Sequence, residues 1–197
     1  ASLPWPVVLV VGALSLVLIV PRDRRVSQLG LLGYYVWLST QMQNDLYRAL
    51  PLVRLGLGIA VFLILAITAQ HVESAERRAQ VPDVLNSGFR LVLFALGGLV
   101  AWAALRQLPL TEVPQGLSLA GYWMAANGLL LILTGSDPLR TGLGLLTLLA
   151  AFEGIFLNLE HGLVILGVLS IVDVCVALGV VVFAEQTVNC WLGQAAP

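Results

Sequence analysis

The sequence predicts an all-helical integral membrane protein with about seven transmembrane helices, its N-terminus outside and its C-terminus in the cytoplasm. Three observations carry that prediction. Of 197 residues, 59% are hydrophobic and 11% charged, and the mean hydropathy of +0.94 lies outside the balance of a soluble globular domain. Apolar runs recur along the whole chain at the length of about 20 residues that a helix needs to cross a hydrocarbon core roughly 30 Å thick. The ten basic residues, all arginine, fall unevenly on the two sides that such a path defines, as the positive-inside rule requires.

Segment one runs from Trp5 to Val20 and is closed by Pro21 and the cluster Arg22, Arg24, Arg25. With its positive charges after the apolar run it reads as a retained anchor, the reverse of a cleavable signal peptide. Segment two, Leu29 to Leu50, is the weakest, because ten apolar residues give way to Ser39, Thr40, Gln41, Gln43, Asn44 and Asp45. Pro51 is suited to the first turn of segment three, where a proline costs no helical hydrogen bond, and the apolar run continues to Ala69. The stretch His71 to Asp83, with Glu73, Glu76, Arg77 and Arg78, reads as the longest polar connection.

Segment four spans Leu85 to Leu105 and ends at Arg106, with Pro109 and Pro114 beyond; segment five spans Leu117 to Thr134. Gly135, Ser136, Asp137 and Pro138 each favour a turn, so segments five and six, the latter Leu139 to Leu159, form a close antiparallel pair. After Glu160, His161 and Gly162 the chain re-enters as segment seven, Leu163 to Ala184. On this path Arg22, Arg24, Arg25, Arg77, Arg78, Arg90 and Arg140 are cytoplasmic, against Arg48, Arg54 and Arg106 outside. Trp5, Trp102 and Trp191 fall near span ends, where interfacial anchors belong. Residues 1–115 thus make a four-helix membrane region and residues 116–197 a three-helix one.

Such a chain has no length left for a separate water-soluble domain, so any chemistry sits in the membrane or on a partner. A net charge of −1 gives no basic field for nucleic acid. Cys175 and Cys190 suggest neither a disulfide framework nor a metal cluster. No phosphate-binding glycine loop, metal-spaced His or Cys pair, or nucleophile elbow is present. The sequence therefore offers no catalytic residue, no metal site and no cofactor of this chain's own.

Intramembrane ionisable residues carry the information that remains, because a charge at the bilayer centre costs several kcal/mol. Glu153 stands eight residues before His161, about 12 Å from that boundary, and Asp173 twelve residues after it, about 18 Å deep. On neighbouring antiparallel helices the two carboxylates come near one another close to the membrane middle. Gly142, Ala150 and Glu153 share one stripe of segment six, and Ser170, Asp173 and Ala177 one of segment seven. Two buried carboxyls that meet water or a cation are the chemistry of a proton relay; a static role in helix packing is the alternative. Arg54 either snorkels to the headgroups, the simpler reading, or pairs with a carboxylate; Arg90 reads as snorkelling. Asn127 and the Ser39–Gln43 run suit interhelical hydrogen bonds. His161, beside Glu160 at a boundary, is a solvated residue or a proton entry point.

The stretch Arg140 to Phe183 resembles the NuoK-like family, through the turn, the helix bearing Glu153 followed by Gly154, the brief loop, and the helix bearing Asp173 with Ser170 before it. That family includes the K subunit of respiratory complex I, the C subunit of Mrp antiporters and the longer component E of energy-converting nickel-iron hydrogenases of the hydrogenase-4 and formate hydrogenlyase type. The Glu-Gly pair, the Asp in the last helix and the additional N-terminal spans look most like component E. The resemblance implies a non-catalytic subunit of a membrane-bound oxidoreductase in a prokaryotic plasma membrane, without cofactors of its own. It further implies antiporter-like membrane subunits and peripheral redox subunits as partners, with Glu153 and Asp173 on the polar axis that couples redox chemistry to ion translocation. Some longer members carry a Lys in segment three, where Arg54 stands here, and an arginine does not readily release its proton.

Overall fold

A computed structural model describes residues 5–21, 24–41, 49–79, 87–110, 113–135, 137–159 and 163–194. Among them are seven α-helices and no strand: α1 (Trp5–Ile19), α2 (Arg24–Gln41), α3 (Ala49–Ala79), α4 (Ser87–Gln107), α5 (Gln115–Thr134), α6 (Pro138–Leu159) and α7 (Leu163–Gln194). Five contain stretches long and apolar enough to cross a bilayer: Pro51–Ser74, Gly88–Gln107, Gln115–Thr134, Pro138–Phe156 and Gly167–Cys190. The chain is a membrane protein. The apolar part of α1, Pro6–Ile19, is shorter, and α2 falls outside that set.

Four boundaries differ from the sequence reading, one being the end of segment two, since Ala49 and Leu50 belong to α3. Helix α2 begins at Arg24 rather than Leu29, and α3 and α7 continue about ten residues past Ala69 and Ala184. The polar stretch from His71 to Ala79 is therefore helix, not connection. Glu, Arg, Gln and Ala are good helix formers, so their polarity marks the exit from the apolar layer and not the end of the helix. At that end Arg25 and Glu73 pair across α2 and α3 at 3.5 Å, both partly in water.

Helix adjacency explains how the weakly apolar α2 is kept in the bundle. Helices α1, α2, α3, α7, α6 and α5 follow one another as neighbours around a closed ring, α2 also touches α6 across it, and α4 lies outside against α5 and α1. The α2–α6 contact divides the ring into two lobes, one bounded by α2, α3, α7 and α6, the other by α1, α2, α6 and α5. Leu31, Tyr34, Tyr35, Trp37 and Leu38 of α2 are all buried, so this helix meets protein on most sides and does not need an apolar surface all round. Helix α4 instead shows Phe89, Leu91, Val92, Leu96 and Leu99 to the exterior, as a lipid-facing helix does.

The expected α5–α6 hairpin forms, with α6 starting on Pro138 and Thr141 donating its backbone N–H to the Asp137 carbonyl at 3.1 Å. Two glycines set its closeness. A Cβ on Gly128 would come within 2.7 Å of the Gly144 carbonyl oxygen, and one on Gly144 within 2.7 Å of the Gly128 carbonyl oxygen. The two backbones touch there, as small residues allow in membrane helix pairs. Helix α7 packs most extensively against α3, so both sequence regions contribute to the lobe that holds the site.

Candidate functional site: a buried four-helix charge cluster

Four side chains from four helices converge in the first lobe. Arg54 enters from α3, and its Nη2 stands 2.5 Å from Glu153 Oε2 of α6, both side chains essentially without exposure. Tyr35 of α2 donates its hydroxyl hydrogen to Asp173 Oδ2 of α7 at 2.8 Å. The Arg54 guanidinium carbon lies 5.6 Å from the centre of the Tyr35 ring, inside the range of cation–π attraction. Tyr35 thus joins the two halves, and Glu153 and Arg54 both act electrostatically on Asp173.

Local sequence explains the convergence. Gly58, one turn after Arg54, leaves no side chain where the Cβ of Tyr35 arrives, and a Cβ built there would come within 2.6 Å of it. Gly154, directly after Glu153, likewise receives Leu38 of α2. Glycines on α3 and α6 therefore let α2 sink between them, carrying Tyr35 to the carboxylate of α7. Leu146, Ala150 and Glu153 are buried on α6, and Asp173, Ala177, Val180 and Ala184 on α7. Gly142 of α6 meets Val180, so the small-residue stripes predicted on both helices do face the protein.

Beyond their ion pair, Arg54 Nε and Nη1 and Glu153 Oε1 have no hydrogen-bond partner among the described residues, and neither do Asp173 Oδ1 and Ser170 Oγ, one turn before Asp173. Buried polar atoms are nearly always satisfied in native proteins. Five atoms of this one cluster can thus each take a further hydrogen bond. From the ends of their helices nearest the α2–α3 and α6–α7 connections, Tyr35, Arg54, Glu153 and Asp173 lie about 8 to 15 Å in.

Arg54 and Arg90 correct the snorkelling expectation. Arg54 is fully buried and faces Glu153 instead of headgroups. Arg90 is 4% exposed and donates from Nη1 to the Pro21 carbonyl oxygen at 3.0 Å. In both cases the partner, a carboxylate on α6 for Arg54 and a backbone carbonyl just past the end of α1 for Arg90, is invisible from the arginine's own segment. Arg106 behaves as an interfacial residue should, stacked 5.0 Å from the Trp102 ring at the end of α4.

Asn127 lies elsewhere. It is fully buried on α5 beside the Tyr34 hydroxyl, and Tyr34 in turn shares a short hydrogen bond with Ser15 of α1. This second polar group belongs to the other lobe, so the adjacent tyrosines of α2 serve one lobe each. His161 lies outside the described residues, as do Glu160, Gly162, Arg22, Arg48, Gln43, Asn44 and Asp45. Tyr34, Tyr35 and Ser15 were not foreseen; the one available signal was a tyrosine pair inside an otherwise apolar half-segment. No family model matches the chain, and no curated protein or solved structure matches it.

Proposed function

We propose that this chain is a membrane subunit of a complex-I-like or hydrogenase-like redox-driven ion-pumping assembly, in which Glu153 and Asp173 relay protons laterally between partner subunits. The observation that carries this reading is the cluster itself: two carboxylates and an arginine from three membrane helices, all fully buried. Removing three ionisable groups from water costs several kcal/mol each before any pairing, and apolar side chains of the same size would hold the helices together without that cost. A protein retains such a group where charge must move. The NuoK-like resemblance of Arg140 to Phe183 supports the same reading. In it the partners are antiporter-like membrane subunits and peripheral redox subunits, and the membrane is a prokaryotic plasma membrane with the chain's N-terminus outside.

Two experiments test it. Co-purification in mild detergent followed by mass spectrometry recovers antiporter-like and peripheral redox subunits; recovery of the chain alone removes the assembly reading. In inverted vesicles, Asp173→Asn leaves the Arg54–Glu153 pair in place and the complex assembled, and abolishes redox-driven ion uptake. A variant that pumps normally sinks the relay.

The directness of the Arg54–Glu153 ion pair favours a second reading, in which the subunit clamps a larger membrane complex and carries no ions. That reading predicts normal coupling whenever both carboxylates are neutralised and assembly survives.

A further inference from the structure

We infer that the two carboxylates of the cluster are not equivalent: Asp173 carries the exchangeable monovalent cation, a proton or sodium, Glu153 is the fixed counter-anion of Arg54, and Tyr35 positions the Asp173 carboxylate. The inference rests on the relay reading and narrows it: the relayed ion sits on Asp173, and Glu153 takes part as the fixed charge that holds Arg54.

Charge counting leads to it. The cluster holds one guanidinium and two carboxylates, one from each of α3, α6 and α7. Arginine keeps its proton in proteins. With both carboxylates ionised the cluster carries an uncompensated negative charge inside the membrane. With a proton on Glu153, the arginine loses its direct partner, and a buried charge stripped of its partner is among the costliest defects a fold can hold. A proton or cation on Asp173 leaves every charge matched.

The contacts fit that assignment. Arg54 faces Glu153 directly, whereas Asp173 receives only a neutral hydroxyl, on Oδ2. Asp173 Oδ1 has no partner among the described residues, and the buried Ser170 Oγ stands one turn away on the same helix, also without one. Oδ1 is the atom open to an arriving proton or cation. The charged and titratable groups that act on Asp173 are Glu153 from α6, Tyr35 from α2 and Arg54 from α3. Of these, Tyr35 donates a hydrogen bond to it. Its hydroxyl stabilises the empty, anionic state and sets how readily the cation leaves.

The test is carboxyl modification in native membranes that hold the assembled complex. Dicyclohexylcarbodiimide adds the O–H of a protonated carboxylic acid across its C=N bond and does not react with a carboxylate; the O-acylisourea formed shifts its acyl group from oxygen to nitrogen, and the stable N-acylurea is located by peptide mass spectrometry. Modification is expected on Asp173 at least about tenfold over Glu153, and Asp173→Glu retains it at the same position. Tyr35→Phe removes the donor to the anion, and at alkaline pH Asp173 is then modified about tenfold faster, the effect of losing one hydrogen bond to a charged group; a merely structural role for Tyr35 leaves the pH profile in place. Protection by sodium chloride but not potassium chloride identifies sodium as the cation, and loss of labelling with rising pH alone identifies the proton. Preferential modification of Glu153, or modification of neither residue, overturns the assignment. Because labelling does not require pumping, Asp173 can label as expected in a subunit whose Asp173→Asn variant still pumps, an outcome that removes the relay and leaves this assignment standing.

Discussion

Breaking the Arg54–Glu153 pair from one side and from both sides should have opposite consequences. Both side chains are buried, at 1% and 0% exposure, with their charged atoms in contact, so neither can turn to water when its partner is removed. Arg54→Met strands a carboxylate and Glu153→Leu strands a guanidinium; each is expected to cost about 3–5 kcal/mol. For a chain of this size about 1 kcal/mol corresponds to a shift in melting temperature of about 2–4 °C, so each single variant should melt roughly 6 to 20 °C lower. The double variant Arg54→Met/Glu153→Leu removes both charges together. Replacing a buried ion pair by apolar residues is often neutral or stabilising, so the double variant is expected within about 1 kcal/mol of the parent, a coupling energy of about 5 kcal/mol or more. Thermal unfolding in detergent micelles followed by intrinsic tryptophan fluorescence measures all four proteins. Two single variants that each cost under about 1 kcal/mol and simply add would refute the premise that this pair is dry and mutually dependent.

Other sites predict contrasting magnitudes. Gly144→Leu should destabilise by more than the 1–3 kcal/mol typical of overpacking, because its Cβ would meet backbone atoms of α5 at 2.7 and 2.9 Å that cannot rotate away; the melting temperature checks it, and an unchanged value would mean that the two helices are not in contact. Arg25→Ala should cost under about 1 kcal/mol, and high salt should erase the difference, since the Arg25 and Glu73 side chains are 63% and 36% exposed; a salt-independent loss would contradict that. Single cysteines placed in the α2–α3 and α6–α7 connections of a cysteine-free protein should react with an impermeant thiol reagent from outside the cell, and one in the α5–α6 turn only after lysis; the reverse pattern would invert the proposed orientation.

The sequence exposed the helical count and most boundaries because each apolar run is set off by proline, glycine or arginine, features that act locally. It overstated the polar connection after Ala69 and cut α7 at Ala184 because hydropathy records where a helix leaves the apolar layer, whereas backbone hydrogen bonding continues as long as helix-forming residues do. It also marked α2 as doubtful for a sound reason: isolated in lipid, a segment with Ser39, Thr40 and Gln41 is a poor span. What holds α2 in the bundle is its central place, with Leu38 against Gly154 and Tyr35 against Gly58. That place depends on α3 and α6, which lie outside the window of any local reading.

The same distinction separates the acids from their partners. Glu153 and Asp173 were legible because a carboxylate in an apolar run is anomalous whatever surrounds it. Arg54 stands three residues after Pro51, where the segment itself favours snorkelling and leaves pairing open, and only the arrival of Glu153 of α6 at 2.5 Å decides for pairing. Tyr35 was less legible still, since tyrosine is ordinary in a membrane helix and its role comes from a hydrogen bond to a residue 138 positions away. This asymmetry bears on the chemistry. A relay made of two equivalent acids would be fully described by the anomalies in the sequence, whereas one clamped acid and one gated acid differ only through the neighbours that folding provides. The inequality of Glu153 and Asp173 is therefore a property of the fold, and it should vanish in any variant that keeps both carboxylates but loses Arg54. In Arg54→Gln, carbodiimide should modify both residues, and continued protection of Glu153 would show that something other than the arginine holds it ionised.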